Sequence, residues 1–199
     1  MVRRRLSDDP EVLLAAARRG DDDALEALLR SVHDQMAAVS RRMLRDPGDA
    51  ADCTQEALIR VVRGLAGFDG RSSFSTWCHR IVATTALDEL RRRGRRPVSV
   101  SETEREPIST EPAPEQVSLD ALALADIDSA LARLPEEFRQ AVVLSDVADL
   151  DYPSIAELLG VPVGTVKSRV ARGRAQLREL LGNPSSATNV EWERSDGRG

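Results

Sequence analysis

Residues 97–117 read PVSVSETEREPISTEPAPEQV, and this stretch limits what the chain can fold into more than any other. It holds four prolines, and five glutamates against one arginine, for a net charge of −4. With so few large apolar side chains it cannot bury enough surface to offset the entropy of ordering it, so it reads as an acidic flexible linker. It leaves a segment at 1–96 and another at 118–182, each the size of one small domain. Residues 183–199 are polar and read as a disordered tail.

Both flanking segments carry helical signals. Ala, Leu, Arg and Glu dominate, and only 3 % of the chain is aromatic against 41 % hydrophobic, so the cores must be aliphatic. Apolar spacing and Gly/Pro stops place helices at about 11–19, 22–44, 49–65 and 73–93, then at 119–132, 136–147, 153–159 and 163–181. The expectation is an all-α chain of two small four-helix domains with the linker between them.

The sequence disfavours several functions. The start, MVRRRLSDDPEVLL, has no apolar core of a signal peptide, and no run approaches the roughly 18 apolar residues of a membrane span. A cytoplasmic protein without membrane insertion is expected. Cys53 and Cys78 form no CxxC pair, and Cys78 beside His79 lacks zinc-ligand spacing, so neither metal nor cofactor is expected. No phosphate-binding loop or other catalytic pattern is present, which disfavours an enzyme.

Positive charge gathers instead on one segment of an acidic chain of net −5. In DYPSIAELLGVPVGTVKSRVARGRAQLRELL (151–181), Pro153 suits a helix start, Ile155, Leu158 and Leu159 give one apolar face, and Gly160 is a stop. Pro162 then leads into a second helix, the spacing of a helix-turn-helix. On that second helix Val166, Val170, Gly173, Leu177, Leu180 and Leu181 share a face. Thr165, Ser168 and Arg172 lie opposite, flanked by Lys167, Arg169, Arg174 and Arg178. Five cations against one anion over 163–181 suit a DNA groove, with cations for phosphates and hydroxyls and arginine for base edges.

These residues resemble the C-terminal helix-turn-helix of the extracytoplasmic-function (ECF) sigma factors, the smallest sigma-70 family members. A helix-turn-helix alone also fits response regulators of the NarL and LuxR kind, so the N-terminal half matters. There DAADCTQEALIRVV (49–62) is similar to the family segment that docks on a coiled coil of the polymerase largest subunit. Asp49, Asp52, Gln55, Glu56 and Arg60 are the residues this resemblance assigns to polymerase binding, with Cys53 where a Leu is common. Ala51, Thr54, Leu58, Val61, Val62 and Leu65 are expected to form that helix's buried face. The next stretch, FDGRSSFSTWCHRIVATTALDELRRRGRR (68–96), resembles the segment that recognises and melts the −10 element.

The resemblance assigns Ser72, Ser73, Phe74, Thr76, Trp77, Arg80, Thr84 and Arg91 to −10 DNA. Stacking on an aromatic ring and arginine contacts to a displaced strand make this chemically reasonable. Phe74, Cys78 and Ile81 read as core, while Trp77 reads equally as core or as a DNA contact. Thr84 stands where the family commonly has Asn, which trades a paired amide donor and acceptor for one hydroxyl. The resemblance implies an alternative sigma factor whose partners are core RNA polymerase (coiled coil and flap), promoter DNA and, as often in this family, an anti-sigma factor. It also implies a path for the acidic linker toward the RNA exit channel. The competing reading is a conventional helix-turn-helix regulator acting without polymerase.

Overall fold

Aspartates open four of the helices. Side-chain oxygens of Asp9, Asp21, Asp46 and Asp151 accept the backbone N–H of Glu11, Ala24, Asp49 and Ser154 at 2.9, 3.0, 3.0 and 2.8 Å. Each such cap satisfies a donor the helix cannot, worth about 1 kcal/mol. Pro10, Pro47 and Pro153 follow in the first turns, where a missing N–H costs nothing.

The computed structural model describes residues 9–95 and 119–182, and the expectations for the linker at 97–117 and the tail at 183–199 lie outside them. The described residues contain α1 (Pro10–Ala17), α2 (Asp22–Met43), α3 (Pro47–Gly64), a 3-10 turn (Leu65–Gly67) and α4 (Phe74–Arg95). A second group follows: α5 (Leu119–Arg133), α6 (Glu136–Val142), a π turn (Val143–Val147), α7 (Tyr152–Leu159) and α8 (Val163–Gly182). No strand occurs among them, so the all-helical expectation holds.

Two of the departures from the expected boundaries have a clear physical cause. The fourth helix does not stop before Gly94 but continues to Arg95. Glu89 pairs with both Arg92 and Arg93 one turn on, and such pairs help offset the roughly 1 kcal/mol cost of a helical glycine. The segment expected as one helix at 136–147 widens after Val142 into a π turn, closed by Ala148 N–H donating to the Val143 carbonyl at 3.0 Å. Asp149 then turns the chain with φ of 52°, an uncommon angle for a residue with a Cβ.

Small side chains set how closely the first four helices approach. α3 buries Ala50, Cys53, Thr54, Ala57 and Val61, and α4 buries Cys78, Val82, Ala83 and Ala86. This corrects the expected buried face of α3: Ala51 and Val62 are exposed, Leu58 is half-buried, and Cys53 and Ala57 turn inward. α2 packs against both and buries Leu28, Val32, Met36, Val39 and Met43. Both thiols are free and buried, and burial pushes Cys78 up to about 12, which makes it a poor nucleophile or metal ligand.

In the second group α8 crosses α6 at Gly173. A Cβ there would lie 2.5 Å from Val142 Cγ2 and 3.3 Å from the Phe138 carbonyl oxygen. Val142 is itself buried, so it has little room to move. Gly173→Val is therefore expected to destabilise the helix-turn-helix by about 2 kcal/mol, read as a lower midpoint in urea monitored at 222 nm; an unchanged midpoint would contradict this packing. At the far end Leu181 is 45 % exposed, so the apolar face of α8 stops short of where its spacing suggests.

The two helical groups share one apolar cluster, running from Leu13 to Val170. α2 packs against the π turn, α5 and α6. Polar bonds reinforce the seam. His79 Nδ1–H donates to the Ala148 carbonyl at 2.8 Å, Arg42 Nε donates to Asp128 at 2.7 Å, and Arg80 pairs with Glu157 at 3.0 Å.

Candidate nucleic-acid interface

Three surfaces carry the residues singled out from sequence. The first is the helix-turn-helix. α7 ends at Gly160, whose φ of 67° and ψ of 36° lie in the left-handed region that a Cβ disfavours. Pro162 then accepts from Thr165 and Val166 N–H at 2.9 and 3.2 Å, starting α8. Val166 and Val170 are buried at 0 % and 1 % exposure, which forces Lys167, Ser168 and Arg172 outward. Thr165 is half-buried at the edge of that face, and its carbonyl accepts from the Ser168 hydroxyl at 2.9 Å.

The cations of α8 divide into two kinds. Arg169, 23 % exposed, pairs with Glu137 of α6 at 2.8 Å. Arg174 grips Asp146 through Nε and Nη2 at 2.9 and 2.6 Å, tying α8 to the π turn. Burial alone would push the Asp146 carboxyl up, but hydrogen bonds from Arg174 and Ser145 hold it below the usual range. Arg178 Nε donates to the Arg174 carbonyl at 3.4 Å. Lys167 and Arg172 have no such partner among the described residues, so they present unspent charge.

The second surface surrounds Trp77. Its ring lies 5.0 Å from Phe68 and 5.8 Å from Phe74, centroid to centroid, and its edge meets Gly64 of α3. Phe74 is buried at 7 % exposure, so it supports the tryptophan from below. Trp77 is half-buried and lines a cavity of 760 Å³ together with Arg60, Arg71, Ser72, Arg80 and Thr84. Packing and ligand contact are thus compatible for one side chain. The Thr84 hydroxyl donates to the Arg80 carbonyl at 2.7 Å, which leaves its oxygen lone pairs to face the cavity. Ser73 caps α4: its Oγ accepts from Thr76 N–H at 3.1 Å and lies 2.8 Å from the Thr76 hydroxyl. Arg91 lies away from the cavity, its Nη2 donating to the Leu158 carbonyl of α7 at 2.9 Å.

The third surface is α3. The structure separates the residues grouped there by sequence. Asp49 pairs with Arg93, and Glu56 with Arg60 at 2.9 Å, while Arg60 reaches Asp88 at 3.8 Å. These form a network toward α4. Asp52 and Gln55 face solvent, and Ile59 and Val62 lie one and two turns further along the same side, 44 % and 43 % exposed. Sequence reasoning missed Ile59 and assigned Val62 to the core. Their i, i+3, i+7 and i+10 spacing from Asp52 was the available signal.

The comparisons with known proteins follow the same division. Residues 28–96 match the family described as Sigma-70 region 2, and residues 124–177 match Sigma-70, region 4. The ECF RNA polymerase sigma factor SigE of Mycolicibacterium smegmatis is 39 % identical over 186 residues, covering 92 % of this chain and 72 % of that protein. This chain belongs to the ECF sigma factors.

Two further relatives extend the ECF comparison. The ECF RNA polymerase sigma-E factor of Escherichia coli K12 is 34 % identical, with 82 % of this chain and 90 % of that one covered. Among solved structures, the sigma factor RpoE in complex with the anti-sigma factor NepR from Bartonella quintana aligns with a TM-score of 0.61 at 29 % identity, over 78 % of this chain and 95 % of that one. The region 2 match contains the Trp77 cavity and the α3 surface of this ECF sigma factor, and the region 4 match contains its helix-turn-helix. No helix among the described residues is long and apolar enough to cross a membrane.

Proposed function

We propose that this ECF sigma factor directs core RNA polymerase to promoters, reading them at two surfaces and binding the enzyme at a third. The observation that carries the reading is the separation of these surfaces on elements of different kind: an outward cationic helix, an aromatic-floored cavity, and an α3 face on which Asp52 and Gln55 adjoin exposed aliphatic residues. In this reading the domains are 1–96 and 118–182, and the residues between them form the tether.

Region 4 reads the −35 element as duplex. Lys167 and Arg172 supply phosphate and base-edge contacts, with Ser168 and Thr165 beside them. Arg169, Arg174 and Arg178 serve first to brace α8, and their charge adds to the field around it. Region 2 captures the −10 element once opened. A base leaving the stack meets Trp77, while Arg80 and Arg71 hold strand phosphates. The asparagine common at position 84 is absent, so a base in the cavity meets a hydroxyl acceptor there. The factor has no part in bond-making; binding energy opens the duplex. Polymerase docks on Asp52, Gln55, Ile59 and Val62, which join charge complementarity to an apolar centre.

Geometry adds a condition. Elements some 25 base pairs apart are separated by about 85 Å of duplex at about 3.4 Å per pair. A packed body of this size has a radius of gyration of only about 15 Å. The seam that joins α4 to α7 therefore has to open before both elements are read. Arg80 and Arg91, which that seam engages, then become available to DNA.

A conventional regulator would need neither the α3 stripe nor the Trp77 cavity. In vitro transcription with core enzyme over a genomic promoter library tests the choice. Initiation at defined sites that depends on both this chain and core supports the sigma reading, and transcription unaltered by the chain at every site refutes it.

A further inference from the structure

Another cavity, of 610 Å³, shares no lining residue with those three surfaces and lies where the end of α2 and the start of α3 meet α5 and α6. Arg41, Arg42, Arg45 and Arg139 line it, and Asp128 is the single carboxylate of the lining. Arg42 spends its Nε on Asp128 at 2.7 Å. Arg41 and Arg45 are exposed and have no ion pair among the described residues.

Arg139 is the unusual member. It is 2 % exposed, its Nη1 donates to the Leu134 carbonyl at 3.3 Å, and its buried Nε has no partner. Burial, and next the Arg45 cation, hold its guanidinium below the ordinary value, with Glu136 pulling the other way. Burying a cation without a matching anion is costly, and a buried N–H left unpaired adds to that cost. Four guanidiniums facing one carboxylate leave a net positive site whose fork geometry matches phosphate oxygens. The volume falls in the range of small-molecule sites, and Leu44 and Pro47 add apolar lining.

We propose that this cavity binds a small molecule carrying a diphosphate group, held among Arg41, Arg42, Arg45 and Arg139. Arg139 sets the depth of the site through its free Nε, and Arg41 and Arg45 close its outer edge. Because α2 belongs to one half and α5 and α6 to the other, occupancy ties the halves together across the seam. That consequence rests on the sigma reading, since it opposes the opening that promoter reading requires; the binding itself does not.

Titration calorimetry of the full chain with inorganic pyrophosphate, at low ionic strength in chloride buffer, tests the site. One saturable site is expected, weakened at least tenfold in the double variant Arg41→Glu/Arg45→Glu, whose exposed positions leave the fold intact. Arg139→Met should abolish binding, with circular dichroism reporting whether it folds. Lys167→Ala/Arg172→Ala should leave binding unchanged. ADP binding more tightly than pyrophosphate would identify a nucleotide as the ligand, and equal affinity would identify the diphosphate group alone. Absence of saturable binding overturns the proposal. So does binding that survives the Arg41/Arg45 change, or that falls equally with the Lys167/Arg172 change, since either marks non-specific attraction. An Arg41/Arg45 variant that loses promoter DNA affinity while keeping pyrophosphate binding overturns it too, in favour of a phosphate-backbone contact.

Discussion

Arg172→Glu is expected to lower transcription from a −35-dependent promoter on the order of 100-fold, while binding to core enzyme stays within about twofold of wild type. A single base or phosphate contact is worth about 1–3 kcal/mol, and reversing the charge adds repulsion from the backbone. Arg172 is the right probe because it is exposed and takes no part in packing. Arg169→Glu would lose promoter binding as well, but it also breaks the 2.8 Å pair to Glu137, so its effect mixes stability with recognition. Promoter transcription and core affinity measured on one preparation check the claim. Equal loss of both from Arg172→Glu would show that α8 does not act separately.

The second large effect belongs to α3. Asp52→Arg combined with Ile59→Glu is expected to weaken core binding about 100-fold, read by fluorescence anisotropy or competition. An apolar anchor at an interface centre contributes about 2 kcal/mol, and reversed charge at its neighbour removes electrostatic complementarity. Both positions are exposed, so the unfolding midpoint should not move. Glu56→Lys is the substitution the sequence alone suggests, and it is a poorer test. Glu56 pairs with Arg60 at 2.9 Å, and Arg60 reaches Asp88 on α4, so the change also disturbs how α3 sits on α4. Wild-type core affinity in the double variant would move the docking surface elsewhere.

Local rules made most of the helices legible. Asp at a cap, Pro in a first turn and Gly at a stop each act over a few residues, so α1, α3 and α7 begin near where the sequence places them. The helix-turn-helix was legible for the same reason, since Gly160, Pro162 and the Val166–Val170 repeat are contiguous. The inward face of α3 was not. Hydrophobicity favours Val62 over Ala57 as a core residue, but helix spacing favours small side chains, and α3 turned Ala50, Cys53 and Ala57 inward. Val62 and Ile59 were left outside, where a partner can use them. The π turn escaped notice because one extra residue per turn leaves no compositional mark.

The division of the arginines was also beyond sequence. Spacing shows that Arg169, Arg172 and Arg174 are on or near an exposed face, but which of them meets a carboxylate depends on Glu137 and Asp146, brought in from α6 and the π turn. The seam between the halves has the same character. Nothing within 68–96 announces that Arg80 will meet Glu157, at a sequence distance of 77 residues.

Footprinting of a defined promoter with the purified chain, in the presence and absence of core enzyme, tests the central claim most directly. The account predicts two short protected elements with strand opening at the downstream one, both only when core is present, and neither from the chain alone at physiological salt. Protection of a single palindromic site by the chain without core would contradict it.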